Sequence, residues 1–250
     1  MINKDLKKEL QAVEKKEQKL LCKVEKENKI KDTIYEKVPK GVSDTLEAAF
    51  AKAFHLVFTK GTAIIEKTFD KEESSLEFEA GNYIVNKAGN KKSIRRLDKG
   101  AKKNSGLNHA VTTFSGFGMG ILGMGLPDIP LLVSTVLKGI YEIAIGYGFS
   151  YESEEEKVYI LRLIHTALAN GEEKQTYNSL LDSIAYEPES LEKEIAATAK
   201  VLSDSLLVEK FVQGLPIVGV VGGFVNHAVY GKIAAFAAVK YKKRYLISKL

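Results

Sequence analysis

Residues 153–171, SEEEKVYILRLIHTALANG, decide the fold class. Ser153 followed three residues later by Glu156 is a capping-box pattern, in which a hydroxyl and a carboxylate serve the free N–H groups of a helix start. Val158, Leu161, Ile164 and Leu168 then recur at steps of three and four, which lays one apolar stripe along a helix, and Asn170-Gly171 supplies the stop.

Outward toward the C-terminus the same periodicity returns. Pro188 opens a helix carrying Leu191, Ile195, Leu202 and Leu206 that stops near Gly214 and Pro216, and a last helix is expected from about Val218 to the chain end. Toward the N-terminus, Leu126-Pro127-Asp128-Ile129-Pro130 breaks the chain. Asp128 is placed to cap a helix running through Ile143 and closed by Gly146 and Gly148. Residues 72–103 are less periodic: Leu76, Tyr83, Ile84 and Val85 suggest a helix, while Gly81, Gly89 and Gly100 interrupt it. Ser43 is expected to cap a helix with Leu46, Phe50, Phe54, Val57 and Phe58 on one face, continuing to Ile64 and Ile65. A first amphipathic helix carries Leu6, Leu10, Val13, Leu20, Val24 and Ile34, with Glu17, Glu27 and Lys31 on the seam, and Pro39 and Gly41 end it.

Strand-like alternation is hard to find, so the expected fold is all-α: a bundle of about eight to nine helices with two glycine-rich apolar segments. The domain expectation is an amphipathic N-terminal helical extension, 1–40, followed by one helical domain, 42–250. With 250 residues, 45 % of them apolar, the chain has ample material for a core and is not a disordered protein. The lone cysteine, Cys22, excludes an internal disulfide, and the charged start MINKDLKKEL lacks the apolar core of a signal peptide. A cytoplasmic location is expected.

Net charge is +5, unevenly spread: residues 1–103 carry 24 basic and 17 acidic groups, residues 104–250 carry 13 and 15. From Lys87 to Lys103, eight basic residues, among them Lys87, Lys91, Lys92, Arg95, Arg96 and Lys99, stand against Asp98 alone. From Lys232 to Lys249, six, including Lys240, Lys242, Lys243 and Arg244, stand against no acid. Either run suits an anionic lipid surface or nucleic acid, and either suits a plain solvated helix face.

Residues 104–127 have no charged group and hold six glycines, with Gly116 and Gly120 at the spacing that lets helix backbones approach closely. Residues 211–231 are also uncharged and long enough to cross a hydrocarbon core of roughly 30 Å. Gln213, Pro216, Asn226 and His227 oppose insertion there, and Lys138 with Glu142 opposes it in the helix after LPDIP, which favours buried core helices over spanning ones. Gly118-Met-Gly-Ile-Leu-Gly123 matches a dinucleotide fingerprint but has no strand before it and Pro127 soon after it, so nucleotide binding is not expected. The four histidines lack metal-ligand spacing, and no metal or cofactor is expected. Polar groups on apolar segments are costly unless paired, which makes His109, Asp128, Glu142, Gln213, Asn226 and His227 candidates for an internal polar cluster, as a packing network or as a pocket.

Two blocks carry a family resemblance. Gly120-Ile-Leu-Gly-Met-Gly-Leu-Pro-Asp-Ile-Pro130, followed by Tyr147-Gly-Phe149 and Glu154-Glu-Glu156, resembles the central signature of the EcsC family. Gln213-Gly-Leu-Pro216, Val218-Gly-Val-Val-Gly222 and Asn226 resemble its second signature. The positions matching those motifs are Gly125, Pro127, Asp128, Pro130, Gln213, Pro216, Gly219, Gly222 and Asn226, and the likeness spans roughly residues 45–245. It implies a hydrophobic or membrane-associated bacterial protein whose family takes its name from a protein encoded beside an ABC transporter, with no catalytic mechanism to carry over. The function expected is therefore a non-enzymatic helical protein, peripheral at the inner face of the cell membrane, with an anionic membrane surface or an ABC transporter as partner. The alternative is an enzyme or small-ligand binder with a polar pocket between the glycine-rich helices. Nucleic acid is disfavoured, because residues 87–103 have no aromatic side chain for base stacking.

Overall fold

A computed structural model describes residues 2–22, 40–103, 128–183, 190–212 and 227–250. Among them every regular element is helical and no strand occurs. In chain order they are α1 (Ile2–Leu21), α2 (Lys40–Leu56), a π-helical turn (Val57–Gly61), α3 (Thr62–Glu66), α4 (Lys71–Ala88), α5 (Lys91–Lys103), α6 (Asp128–Gly146), α7 (Glu154–Leu168), α8 (Gly171–Ser183), α9 (Ser190–Val212) and α10 (His227–Ile247). The two glycine-rich stretches, 104–127 and 213–226, lie outside the described residues.

α7 begins as expected, with Ser153 extended and its side chain accepting from the Glu156 N–H. Only half of the capping box forms. The Glu156 carboxylate turns to Tyr241 and Arg244, because a charge-assisted bond to a guanidinium outweighs one to a neutral N–H. Residues 71–103 resolve into two helices. Asp70 caps α4 by accepting from Glu73, and Gly89, at φ 50°, closes it in the left-handed conformation that glycine adopts without strain. Asn90 then accepts from the Ser93 N–H at the start of α5. α2 starts at Lys40, so Ser43 lies inside its first turn and does not cap it.

Two helices organise the packing. α6 is met by α2, α4, α5 and α10, and α10 by α1, α6 and α7; α7 also carries α8 and α9, and α9 packs on α2. One hydrophobic cluster runs from Leu6 through Phe50, Phe54, Val133, Ile140, Ile160, Leu202 and Phe236 to Leu246. α1 contributes Leu6, Val13 and Leu21 to that cluster, so the segment set apart by its sequence as an extension packs into the shared core.

Two stretches, 41–66 and 129–146, are long and apolar enough to cross a membrane by length and composition. They differ in surroundings: 83 % of the 129–146 stretch is buried by protein, against 28 % of an apolar 18-residue window within 41–66. The first condition is that of a core helix in its own fold.

Candidate functional site

The C-terminal basic run is turned inward. Lys240, 1 % exposed, reaches Glu17 at 2.7 Å, Asn178 at 3.1 Å and Asp182 at 2.5 Å. Lys243 pairs with the other Glu17 oxygen and with Asp182, and Lys242 with Glu9 and Asp98. Arg244 forks onto both Glu156 oxygens, at 2.7 and 3.0 Å, and lies 4.2 Å from the rings of Phe149 and Tyr159. Burial works against the Asp182 carboxylate, yet Lys240 and Lys243 hold it below its usual range. These residues form the joint between α10 and helices α1, α7 and α8. The expected basic surface fails here because each cation has found an acid on a neighbouring helix.

The first basic run is turned outward. α4 and α5 form a hairpin whose inner side chains, Val85, Ile94, Leu97 and Ala101, are buried. On the outer side Lys91, Lys92, Arg95, Arg96 and Lys99 are exposed. Arg95 lies 3.6 Å from Glu9, and Lys102 is held by Asp98. Lys92, Arg96 and Lys99, spaced to share a face, make no ion pair among the described residues. Beside them α4 presents Leu76, 65 % exposed, Tyr83, 63 % exposed, and Ile84, with Lys87 over the Tyr83 ring. The acids of α4, Glu72, Glu73, Glu77 and Glu79, lie in its N-terminal half, which leaves the turn between Lys87 and Lys92 as the positive end.

Between α4, α5 and α6 lies a cavity of about 340 Å³. Phe78, Ile84 and Leu97 give it apolar walls, and its charged residues are Glu77, Arg96, Lys99 and Glu142. Glu142, 4 % exposed, accepts from Lys138 through Oε1, while its buried Oε2 has no hydrogen-bond partner among the described residues. Burial raises the Glu142 pKa and Lys138 partly offsets it. Burial, with the nearby Glu142 charge, pushes the Tyr230 hydroxyl up to about 12. The lining glycines have unequal roles. A Cβ on Gly146 would strike the Ala101 backbone, whereas a Cβ on Gly100 would meet nothing within 4 Å.

Of the expected polar cluster, Glu142 alone has its side chain among the described residues. His109, Gln213 and Asn226 lie outside them, and Asp128 and His227 begin α6 and α10 with side chains that are not described. Of the motif positions, Pro130 is buried in the first turn of α6, and Gly125, Pro127, Pro216, Gly219 and Gly222 lie outside the described residues.

Several polar groups escape sequence reasoning. Tyr151 stacks on Tyr141 with centroids 3.9 Å apart and donates to Glu66, which Lys71 also holds. The Tyr151 bond and Lys71 keep Glu66 below its usual range. Arg162 pairs with Glu194 in a buried position, and His165 stacks on Tyr177 while bonding Glu173 at 2.9 Å. Arg162 and His165 lie on the apolar side of α7, where a polar residue needs a partner.

The model of the EcsC protein family matches residues 4–246. The chain belongs to the EcsC family. The match takes in α1, so the family region begins with the first helix. Protein EcsC of Bacillus subtilis (strain 168) is 23 % identical over 222 residues, covering 86 % of this chain and 89 % of that protein. A second protein of the same strain, the uncharacterized protein YdbA, is 26 % identical over 132 residues, 49 % of this chain and 47 % of its own length. No solved structure matches the chain.

Proposed function

We propose that this EcsC-family chain is a non-enzymatic helical protein that binds an anionic membrane surface from the cytoplasmic side, using the outer face of the α4–α5 hairpin. The observation that carries the reading is the exposure, on one hairpin, of Tyr83 and Ile84 toward the α4–α5 end of α4 and of the cations Lys92, Arg96 and Lys99, which make no ion pair among the described residues. Apolar side chains at the headgroup boundary and cations toward anionic lipid are the two terms that hold a peripheral helix at a bilayer, each adjacent cation contributing about 1 kcal/mol. The inward-turned α10 run adds nothing to this surface, so the attraction rests on α5.

The test is co-sedimentation with protein-free vesicles, neutral or anionic. Anionic vesicles are expected to capture the chain at low salt and release it as salt rises. Charge reversal at Lys92, Arg96 and Lys99 is expected to abolish capture with the melting temperature unchanged. Capture that needs native membranes and fails on protein-free vesicles would replace lipid with a membrane-protein partner.

A further inference from the structure

The cavity between α4, α5 and α6 opens beside the apolar stripe proposed to meet the bilayer, since Ile84 belongs to both. Its size falls in the range of small-ligand sites, mostly apolar walls with a few placed polar groups. Those groups differ in kind. Arg96 and Lys99 are exposed cations without an ion pair among the described residues, whereas Glu142 is a buried acid with one oxygen engaged by Lys138 and the other without a donor among those residues. A buried acceptor left without a donor costs free energy that a ligand donor recovers.

We infer that this cavity is a headgroup site for an anionic phospholipid whose headgroup carries free hydroxyls, as in phosphatidylglycerol. The phosphate sits at Arg96 and Lys99, a headgroup hydroxyl donates to Glu142 Oε2, and the acyl chains stay in the bilayer beside Leu76 and Tyr83. A hydroxyl suits Glu142 better than an ammonium does. Lys138 already balances the carboxylate, and a second cation would leave net charge in a site with little water to solvate it. The negative charge of Glu77 on the same wall disfavours a headgroup with an extra carboxylate. The assignment rests on the membrane-surface reading above and adds lipid selectivity to it.

Gly100 gives a clean test. It is helical and has open space where a Cβ would go, so Gly100→Ala and Gly100→Leu add graded bulk to the cavity, raise helix propensity and leave every charge in place. Binding is measured to phosphatidylcholine vesicles doped with equal fractions of phosphatidylglycerol or phosphatidylserine. The wild-type chain is expected to favour phosphatidylglycerol by about tenfold, the worth of one hydrogen bond to a charged group. Gly100→Leu is expected to lose that preference while still binding both vesicles, with Gly100→Ala between. Equal binding of both lipids by the wild type, or a preference that survives Gly100→Leu in a variant that melts normally, overturns the headgroup site and leaves the surface reading intact. Indifference of the wild type to all anionic vesicles overturns both. Soluble glycerol phosphate is the remaining arm: stabilisation of the chain by it without lipid, at concentrations where vesicles saturate binding, overturns the lipid assignment in favour of a free phosphate ester.

Discussion

The basic runs 87–103 and 232–249 look alike in composition and end in opposite environments. In α5 the cations point to water, because the inner face of the helix is filled by Ile94, Leu97 and Ala101. In α10 both faces meet other helices, and Lys240, Lys242, Lys243 and Arg244 are drawn to Glu17, Asp182, Glu9 and Glu156. A charge run reports how many cations a segment has. Whether they form a surface depends on the acids that the fold sets opposite them, here on α1, α7 and α8.

The contrast is sharpest in stability. Lys240→Met takes from Glu17, itself 2 % exposed, one of its two cations and is expected to cost about 3 kcal/mol, since a buried pair is broken and Lys243 alone is left to balance Glu17 and Asp182. In a chain of this length that lowers Tm by roughly 6–12 °C. Replacing both partners, Lys240→Met with Glu17→Leu, is expected to recover part of the loss. Arg244→Lys keeps the charge but gives up the fork onto Glu156 and the stacking on Phe149 and Tyr159, for about 2 kcal/mol in chemical denaturation. On the outward run, Lys92→Ala or Arg96→Ala is expected to move stability by no more than about 0.5 kcal/mol. A loss at Arg96 comparable to that at Lys240 would break the comparison.

A smaller, pH-dependent effect belongs to His165, whose pKa is lowered from 6.5 by burial, partly offset by Glu173. As pH falls the unfolded chain takes up that proton before the folded chain does. The stability present above pH 6.5 is therefore lost as pH falls through 6.5 toward the lower folded value. Glu142, with a raised pKa, acts in the opposite sense above pH 4.5, and its contribution cancels between two proteins that share it. The Tm of His165→Phe, which keeps a ring against Tyr177, is expected to fall less than that of the wild type between pH 7 and about pH 5. Parallel Tm curves would show that His165 takes no part.

Legibility in the sequence followed the range of the interactions. α7 could be read from cap, stripe and stop because those signals lie within one helix. The division of residues 71–103 was harder, since it depends on Gly89 and Asn90 acting as two caps back to back. Glu17 was visible as a charge on the seam of α1, and its partner 223 residues away was not. Glu142 stood out as a charged group in an apolar helix, and the structure gives it Lys138, as the i, i+4 spacing implied. The cavity beside it was illegible, because its walls come from three helices and one lining residue, Gly100, reads in the sequence as an interruption.

The most direct test of the contrast between the two runs is amine labelling of every lysine in the folded chain, quantified by mass spectrometry with and without anionic vesicles. The account predicts that Lys92 and Lys99 label readily in the free protein and are protected by vesicles, while Lys240 stays unreactive in both conditions. Rapid labelling of Lys240 in the folded protein, or no vesicle protection at Lys92 and Lys99, would contradict it.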